Sequence, residues 1–362
     1  MHFLFGAGGT GGHLYPAIAV AEALKKINNK FRITFAGRED KIEGSKVTLF
    51  GFDFLPLDIL PVSLKPNPNS IKSIVKLFIA KKKLVKFIHQ NNCQAVIVAG
   101  AYISLPPGLA AVSTKKPLYL MESNVNPGKA ISFLTAKSKS VFTSFDESKN
   151  YFPEKLKNKI ILTGNPIRSS FKSNYDKALA KSELGFDTAK PLIFVFGGSL
   201  GADSINNFVI NNYPKLLEHG YQIAWQTGTK TQIKAVSDNG LKVYTYIDDI
   251  EKFYAAADLV ICRSGASTVS ELTLCGKPSV LIPYPSASNN EQLRNALLLQ
   301  EVGAAIVVED KDIHSNLLRI VTEQISSKEK LSKMSENAKK LAFPDAAQNI
   351  AESILKDLGY YE

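Results

Sequence analysis

PLIFVFGGSLGADSINN, residues 191–207, decides the fold. Its first six positions are apolar without alternation, the pattern of a strand buried on both faces of a parallel sheet. Gly197, Gly198 and Gly201 then free the backbone for a tight turn. A helical pattern follows at once. The same device opens the chain, where "HFLF" (2–5) runs into "GAGGTGGH" (6–13) and then "YPAIAVAEALKKI" (15–27). Around the first copy, strands are predicted at "RITFA" (32–36), "AVIVAG" (95–100) and "PLYLM" (117–121). Around the second they are predicted at "YQIAWQ" (221–226), "KVYTYI" (242–247), "DLVIC" (258–262), "PSVLIPY" (278–284) and "AAIVV" (304–308). Helical stretches fill most of the intervals. This alternation predicts parallel sheets with helices on both faces.

The pattern therefore runs twice. It predicts an α/β protein of two doubly wound, Rossmann-like lobes, residues 1–163 and 164–343. "ILTGNPIR" (161–168) reads as the hinge, because Gly164 and Pro166 both break regular structure. The last helical stretch, roughly 346–358 within 344–362, could pack on either lobe, the first included. Open α/β sheets bind ligands beyond the carboxyl ends of their strands. The expected site is accordingly a cleft between the lobes.

Composition agrees with a globular protein of 362 residues, 45% hydrophobic and 21% charged. No run of ~18 apolar residues predicts a transmembrane helix, and the start lacks the pattern of a secretory signal. A cytosolic location is expected. Cys93, Cys262 and Cys275 form no metal or redox spacing and read as small buried hydrophobes. The net charge of +11 is uneven. Residues 1–165 hold 23 Lys and Arg against 10 Asp and Glu, and the remainder 21 against 23. An excess confined to one half points to an anionic partner there, or to solubility alone.

The motifs that carry chemistry sit just after strands. In "GAGGTGGH" the helix start offers amides and a positive dipole end to a phosphate. Gly6, Gly8 and Gly11 also satisfy GxGxxG. A dinucleotide site wants an acid at the end of the second strand. Here that strand ends Ala36-Gly37-Arg38, and the nearest acid is Glu39. His13 could take a proton from a hydroxyl, or simply pack at the helix start. In "FGGSLGADSIN" (196–206), Ser199 stands beside loop amides suited to a pyrophosphate. In "CRSGASTVSEL" (262–272), Glu271 is one turn into a helix, where it could accept from a ribose diol or be a solvated charge. In "PYPSASNNEQLRNA" (283–296), Gln292 and Asn295 suit sugar hydroxyls or an ordinary polar helix face. "IDDI" (247–250) reads as a helix N-cap with an acidic first turn rather than a metal pair.

"SIKSIVKLFIAKKKLVKFIHQ" (70–90) is a helix with too much apolar surface. Ile71, Ile74, Val75, Phe78 and Val85 share one side of the wheel, and Leu77, Leu84 and Ile88 widen it to about half the circumference. A core-facing helix needs a stripe of only ~100°. The surplus, flanked by Lys81 and Lys82, reads as a membrane-interface helix, with an ordinary buried helix as the alternative.

"GGTGGH", "GNPIR", "GGSLGA", "IDD" and "CRSGASTVSE", in this order, resemble the MurG family of glycosyltransferase family 28, which has the two-lobed GT-B architecture. The resemblance covers essentially the whole chain. It implies inverting transfer of N-acetylglucosamine from UDP-N-acetylglucosamine to the 4-hydroxyl of undecaprenyl-linked N-acetylmuramoyl-pentapeptide (lipid I), giving lipid II for peptidoglycan. It implies work at the cytoplasmic face of the bacterial inner membrane, on an anionic surface. No cofactor, obligatory metal or nucleic acid is expected. By matching position, Thr10, Gly11 and Gly12 lie near the donor sugar, and His13 is the general base. Asn124 matches the asparagine of the family's "EQN". Arg168 and Ser199 meet the pyrophosphate, and Ile247 meets the uracil through its backbone. Ala266, Ser267, Thr268, Val269, Ser270 and Glu271 line the nucleoside, with Glu271 on the ribose, and Gln292 reaches the sugar. Tyr102 and Asn126 fall on the acceptor side. Leu77, Lys81, Lys82, Leu84 and Ile88 are the expected membrane contacts. Ser123, Ala101 and Glu291 depart from the family's usual residues. Two rivals remain: a UDP-N-acetylglucosamine 2-epimerase-like enzyme on the same plan, and a non-catalytic binder of anionic surfaces.

Overall fold

A computed structural model describes residues 1–61, 68–172, 175–230, 238–287 and 290–361. The chain divides into two compact units, Met1–Ser169 with Phe343–Glu362, and Ser170–Ala342. The division comes after Ser169 rather than after residue 163. Ser169 donates from both its N–H and its Oγ to Glu22 Oε2, at 3.3 and 3.1 Å, and so stays with the first unit.

The first unit holds β1 (His2–Gly6), β2 (Arg32–Gly37), β3 (Asp53–Pro56), β4 (Ala95–Val98), β5 (Leu118–Glu122), β6 (Ser140–Thr143) and β7 (Ile160–Leu162). They pair in the order β3-β2-β1-β4-β5-β6-β7, all parallel. Every residue of β1, β4 and β5 is buried, as a sheet covered on both faces requires. Its helices are α1 (Gly11–Ile27), α2 (Ile42–Lys46), α3 (Pro68–Gln90), α4 (Leu105–Ser113) and α5 (Lys129–Thr135). The second unit holds α6 (Lys177–Glu183), β8 (Leu192–Phe196), α7 (Asp203–Glu218), β9 (Gln222–Gln226), β10 (Leu241–Tyr244), α8 (Ile250–Ala256) and β11 (Leu259–Cys262). It continues through α9 (Ala266–Cys275), β12 (Ser279–Leu281), α10 (Glu291–Glu301), β13 (Ala305–Val307), α11 (Leu318–Ile325) and α12 (Lys328–Lys340). Its strand order, β10-β9-β8-β11-β12-β13, repeats the plan of the first, again all parallel. Each unit is thus a doubly wound α/β sheet, as the two glycine-ended strands predict.

The last helix, α13 (Ala346–Asp357), belongs to the first unit. Ile350, Ala351, Ile354 and Leu355 join Phe3, Phe5, Leu14 and Ile18 in one core cluster. Three large aliphatic side chains at ~1.5–3 kcal/mol each give this docking an upper bound of several kcal/mol. Tyr119 Oη bonds Asp357, and Asn28 Nδ2 donates to Tyr360 Oη at 2.9 Å. The sequence-based hinge at 161–168 begins too early, because Ile161 and Leu162 are still in β7, paired with β6. Gly164 keeps φ at 79° and leaves no room for a Cβ, which would lie 2.1 Å from Phe343 Cβ.

Helix α3 corrects another expectation. Leu84 and Ile88, expected at a membrane, are fully buried in the core cluster beneath α4. Ser73 and Ala80 share that buried side. Ala80 shares a core cluster with Ala110 and Ala111 of α4, and such small side chains let the two helices approach closely. The bulkier arc is left outside: Ile71, Ile74, Val75, Phe78 and Ile79 are exposed by 43–68%. Leu77 and Lys81 are half-buried, and Lys82 is exposed. Among the described residues no helix is long and apolar enough to cross a membrane.

Candidate active site

In each unit the strand order reverses between two neighbouring strands, and the connections leaving them open a crevice at the carboxyl edge. In the first unit these strands are β1 and β4. The loop after β1 carries Thr10, which stands at the N-cap of α1. Its Oγ1 lies 3.0 Å from His13 Nδ1. The imidazole packs on Gly100 in the loop after β4. A Cβ there would sit 2.8 Å from His13 Nε2, and φ at Gly100 is 75°. His13 is only partly exposed, and desolvation lowers its pKa to about 4. The ring is therefore neutral at physiological pH.

Beneath the same loop lies a carboxylate that the sequence pattern did not single out. Glu43, fully buried, accepts from Gly9 N–H at 2.8 Å and from Arg38 N–H at 3.0 Å. A Cβ on Gly8 would come within 2.3 Å of its carboxyl carbon. The glycines thus admit an acid of the chain itself. The dinucleotide pattern puts a ribose-binding acid at the end of the second strand. The one that reaches the loop is not Glu39 but Glu43, one helical turn on, and it meets the loop amide rather than a ribose.

The loop after β5 is braced in the same way. Glu122, 4% exposed, accepts from Asn124 N–H at 2.9 Å and Gly128 N–H at 2.8 Å. Asn124 and Asn126 are half-buried there. Ser123 Oγ donates to Asn165 Oδ1 at 3.0 Å, which ties "ESN" to "GNPIR". Tyr102 Oη accepts from Arg38 Nη1 at 3.5 Å, and its neighbour Ala101 holds φ at 53°, a conformation that suits glycine. The Arg168 guanidinium lies over the Tyr15 ring, 4.6 Å from its centroid. All of these stand at the carboxyl edge of the first sheet.

In the second unit the reversal falls between β8 and β11. The loop after β8 is pressed against the one after β9: a Cβ on Gly228 would lie 2.0 Å from Gly201 N. Ser199 is exposed, and its carbonyl accepts from Thr229 N–H at 3.0 Å and Thr229 Oγ1 at 3.2 Å. Gln226, at the end of β9, joins two segments. Its Oε1 accepts from Ile247 N–H at 2.9 Å, and its Nε2 donates to the Gly198 carbonyl at 3.2 Å. The Ile247 amide is therefore engaged within the unit. Asp249 stands at the N-cap of α8 but makes no side-chain capping bond.

After β11, Gly265 is the N-cap of α9 and has no side chain to cap it. Ala266, Ser267 and Thr268 form the first turn. Val269 departs from its expected role, because its side chain is 1% exposed and turned into the protein. Ser270 Oγ donates back to the Ala266 carbonyl at 2.9 Å, as helical serines do. Glu271 Oε2 accepts from Tyr254 Oη at 3.0 Å. Gln292 Oε1 accepts from Tyr284 N–H at 3.0 Å, and its carbonyl accepts from Ser264 Oγ at 2.8 Å. Asn295, fully buried, donates to the Ser264 carbonyl at 3.2 Å and is a structural residue rather than a sugar contact. Burial raises the pKa of Glu291. Ser288 and Asn289 of this motif lie outside the described residues.

Two family models match the chain in turn. The glycosyltransferase family 28 N-terminal domain matches residues 3–143, and the glycosyltransferase family 28 C-terminal domain matches residues 192–350. The chain belongs to glycosyltransferase family 28. Over 98% of its length it is 34% identical to the UDP-N-acetylglucosamine–N-acetylmuramyl-(pentapeptide) pyrophosphoryl-undecaprenol N-acetylglucosamine transferase of Finegoldia magna, covering 98% of that protein. The crystal structure of MurG from Acinetobacter baumannii matches with a TM-score of 0.73 at 25% identity, covering 98% of this chain and 99% of that one. A structure from Listeria monocytogenes assigned as a UDP-N-acetylglucosamine 2-epimerase matches with a TM-score of 0.71 at 15% identity, over 100% of this chain and 97% of that one. That last likeness shows a shared fold only. As a family member the chain is a glycosyltransferase, an enzyme.

Proposed function

We propose that this transferase moves N-acetylglucosamine from UDP-N-acetylglucosamine to the 4-hydroxyl of lipid-linked N-acetylmuramoyl-pentapeptide, with inversion. The observation that carries the proposal is full-length membership in a family whose relatives bear that name, combined with a glycine loop at the point of strand-order reversal in each sheet. The second unit takes the donor. The loop at Gly197–Gly201 and the start of α9 present amides and helix dipoles to the pyrophosphate. Ser199 and Arg168 add a hydroxyl and a cation. Ile247 meets the uracil with its backbone, Glu271 accepts from the ribose hydroxyls, and Gln292 and Asn124 face the sugar. The first unit takes the acceptor, with Tyr102 and Asn126 at its edge.

His13 is the general base in this reading. This role calls for the tautomer in which Nδ1–H donates to Thr10 Oγ1, 3.0 Å away, and Nε2 keeps its lone pair for the proton of the attacking hydroxyl. Bond formation at the anomeric carbon breaks the bond to the pyrophosphate, and UDP departs with the electron pair. Incubation with labelled UDP-N-acetylglucosamine and a short-chain acceptor analogue is expected to give the disaccharide lipid. If only free sugar or an epimerised nucleotide sugar forms, the proposal is wrong.

Attachment to the inner face of the membrane is part of the same proposal. Ile71, Val75, Phe78 and Ile79 of α3 form an exposed apolar strip, with Lys72, Lys82 and Lys86 on the same exposed side. Changing Ile71 and Phe78 together to Asp removes roughly 3 kcal/mol of apolar transfer, or on the order of a hundredfold in vesicle partitioning. Co-sedimentation with vesicles containing anionic lipid measures it. Undiminished binding would place the attachment elsewhere.

A further inference from the structure

We propose that Tyr254 is a positioning residue for nucleotide recognition, holding the Glu271 carboxylate where the ribose hydroxyls meet it. The inference rests on the reading that Glu271 contacts the ribose. Tyr254 is fully buried on α8, wedged edge-on against Phe194 and Phe196 at 5.9 and 6.0 Å and against Phe171 at 5.8 Å. Full burial against three rings restricts the rotamers open to the phenol. Its hydroxyl is a fixed point, and it donates to Glu271 Oε2 at 3.0 Å. Burial and the nearby carboxylate push the Tyr254 pKa well above its ordinary value, so the hydroxyl keeps its proton and stays a donor.

Glu271 itself stands on α9 and is half-exposed. An untethered glutamate at such a position samples many rotamers, and ordering it for a ligand costs entropy. The bond from Tyr254 pre-sets the carboxylate before any ligand arrives. The same contact sets a spacing. Helix α8 begins three residues after Ile247, whose amide Gln226 anchors. Tyr254 thus ties the element that follows the proposed uracil contact to the element that bears the proposed ribose contact. Base and ribose are joined rigidly in uridine, so those two contacts must keep a fixed distance.

The test is calorimetric titration with UDP and with 2′,3′-dideoxy-UDP, which lacks the diol. The parent enzyme is expected to favour UDP. Tyr254→Phe keeps the ring and loses one oxygen. It is expected to weaken UDP binding about five- to tenfold and to leave dideoxy-UDP unchanged. Equal loss for both ligands would mean that Tyr254 only packs, and unaltered UDP binding would mean that it does nothing for the ligand. Either result overturns the proposal. Glu271→Gln separates this failure from failure of the ribose reading. If the parent does not distinguish the ligands and Glu271→Gln binds UDP normally, the ribose contact itself is wrong. If Glu271→Gln loses the distinction while Tyr254→Phe keeps it, only the role of Tyr254 falls.

Discussion

Turnover of His13→Ala is expected to fall by ~10²–10⁴, the usual contribution of a positioned general base, while affinity for UDP-N-acetylglucosamine stays within about twofold. The prediction joins two observations. The imidazole is aligned by Thr10 and seated on Gly100, and it is neutral because burial lowers its pKa to about 4. A base works only in its unprotonated form. The acid limb of kcat/KM, which reports the free enzyme, should therefore lie near pH 4 rather than near the ordinary histidine value. Activity is present above that pH and lost as pH falls through it. Single-turnover rates across pH, with calorimetry for the donor, check both parts. Unchanged turnover in His13→Ala would remove His13 from the chemistry.

Glu43→Ala is expected to destabilise the first unit by about 3–5 kcal/mol, since two backbone amides lose a buried carboxylate partner. That is a large part of the ~5–15 kcal/mol typical of a whole domain. The sole tryptophan, Trp225, is buried in the second unit and reports that unit alone. The circular-dichroism melt should shift to lower temperature while the Trp225 fluorescence transition does not. Donor binding should persist and turnover should drop, because the loop that carries Thr10 and His13 has lost its brace. Glu43→Gln, which keeps one acceptor oxygen, should fall between. A shifted Trp225 transition, or full activity in Glu43→Ala, would contradict this account.

The two sheets were legible because parallel strands covered on both faces must be almost continuously apolar, as "LIFVF" and the "FLF" that follows His2 are. The strands missing from the sequence reading are β3, β6 and β7. They are short, lie toward one edge or the other of the first sheet, and carry exposed or polar positions such as Asp53 and Ser140. Periodicity identified α3 but not its orientation. A wheel ranks arcs by hydrophobicity, whereas close packing on α4 selects the arc with small residues, and Ser73 and Ala80 won over Ile71 and Phe78. In the candidate site, glycines and hydroxyls announced the loops, since only those residue types fit there. Glu43, Gln226 and Tyr254 did not announce themselves. Each acts on a partner at least 17 residues away along the chain, except for the Glu43 bond to Arg38. No local pattern encodes such pairings.

The placement of α13 has a bearing on how the protein is made. A ribosome finishes the strands of the first sheet early, yet Ile350, Ile354 and Leu355 of its core are added only after the whole of the second unit. Translation proceeds at ~5–20 residues per second, so the first unit waits on the order of ten to forty seconds for its final helix. During that interval α1 presents an uncovered apolar face to solvent. Nascent chains shortened before residue 346 should therefore engage chaperones through this face, and longer ones should release them once α13 emerges.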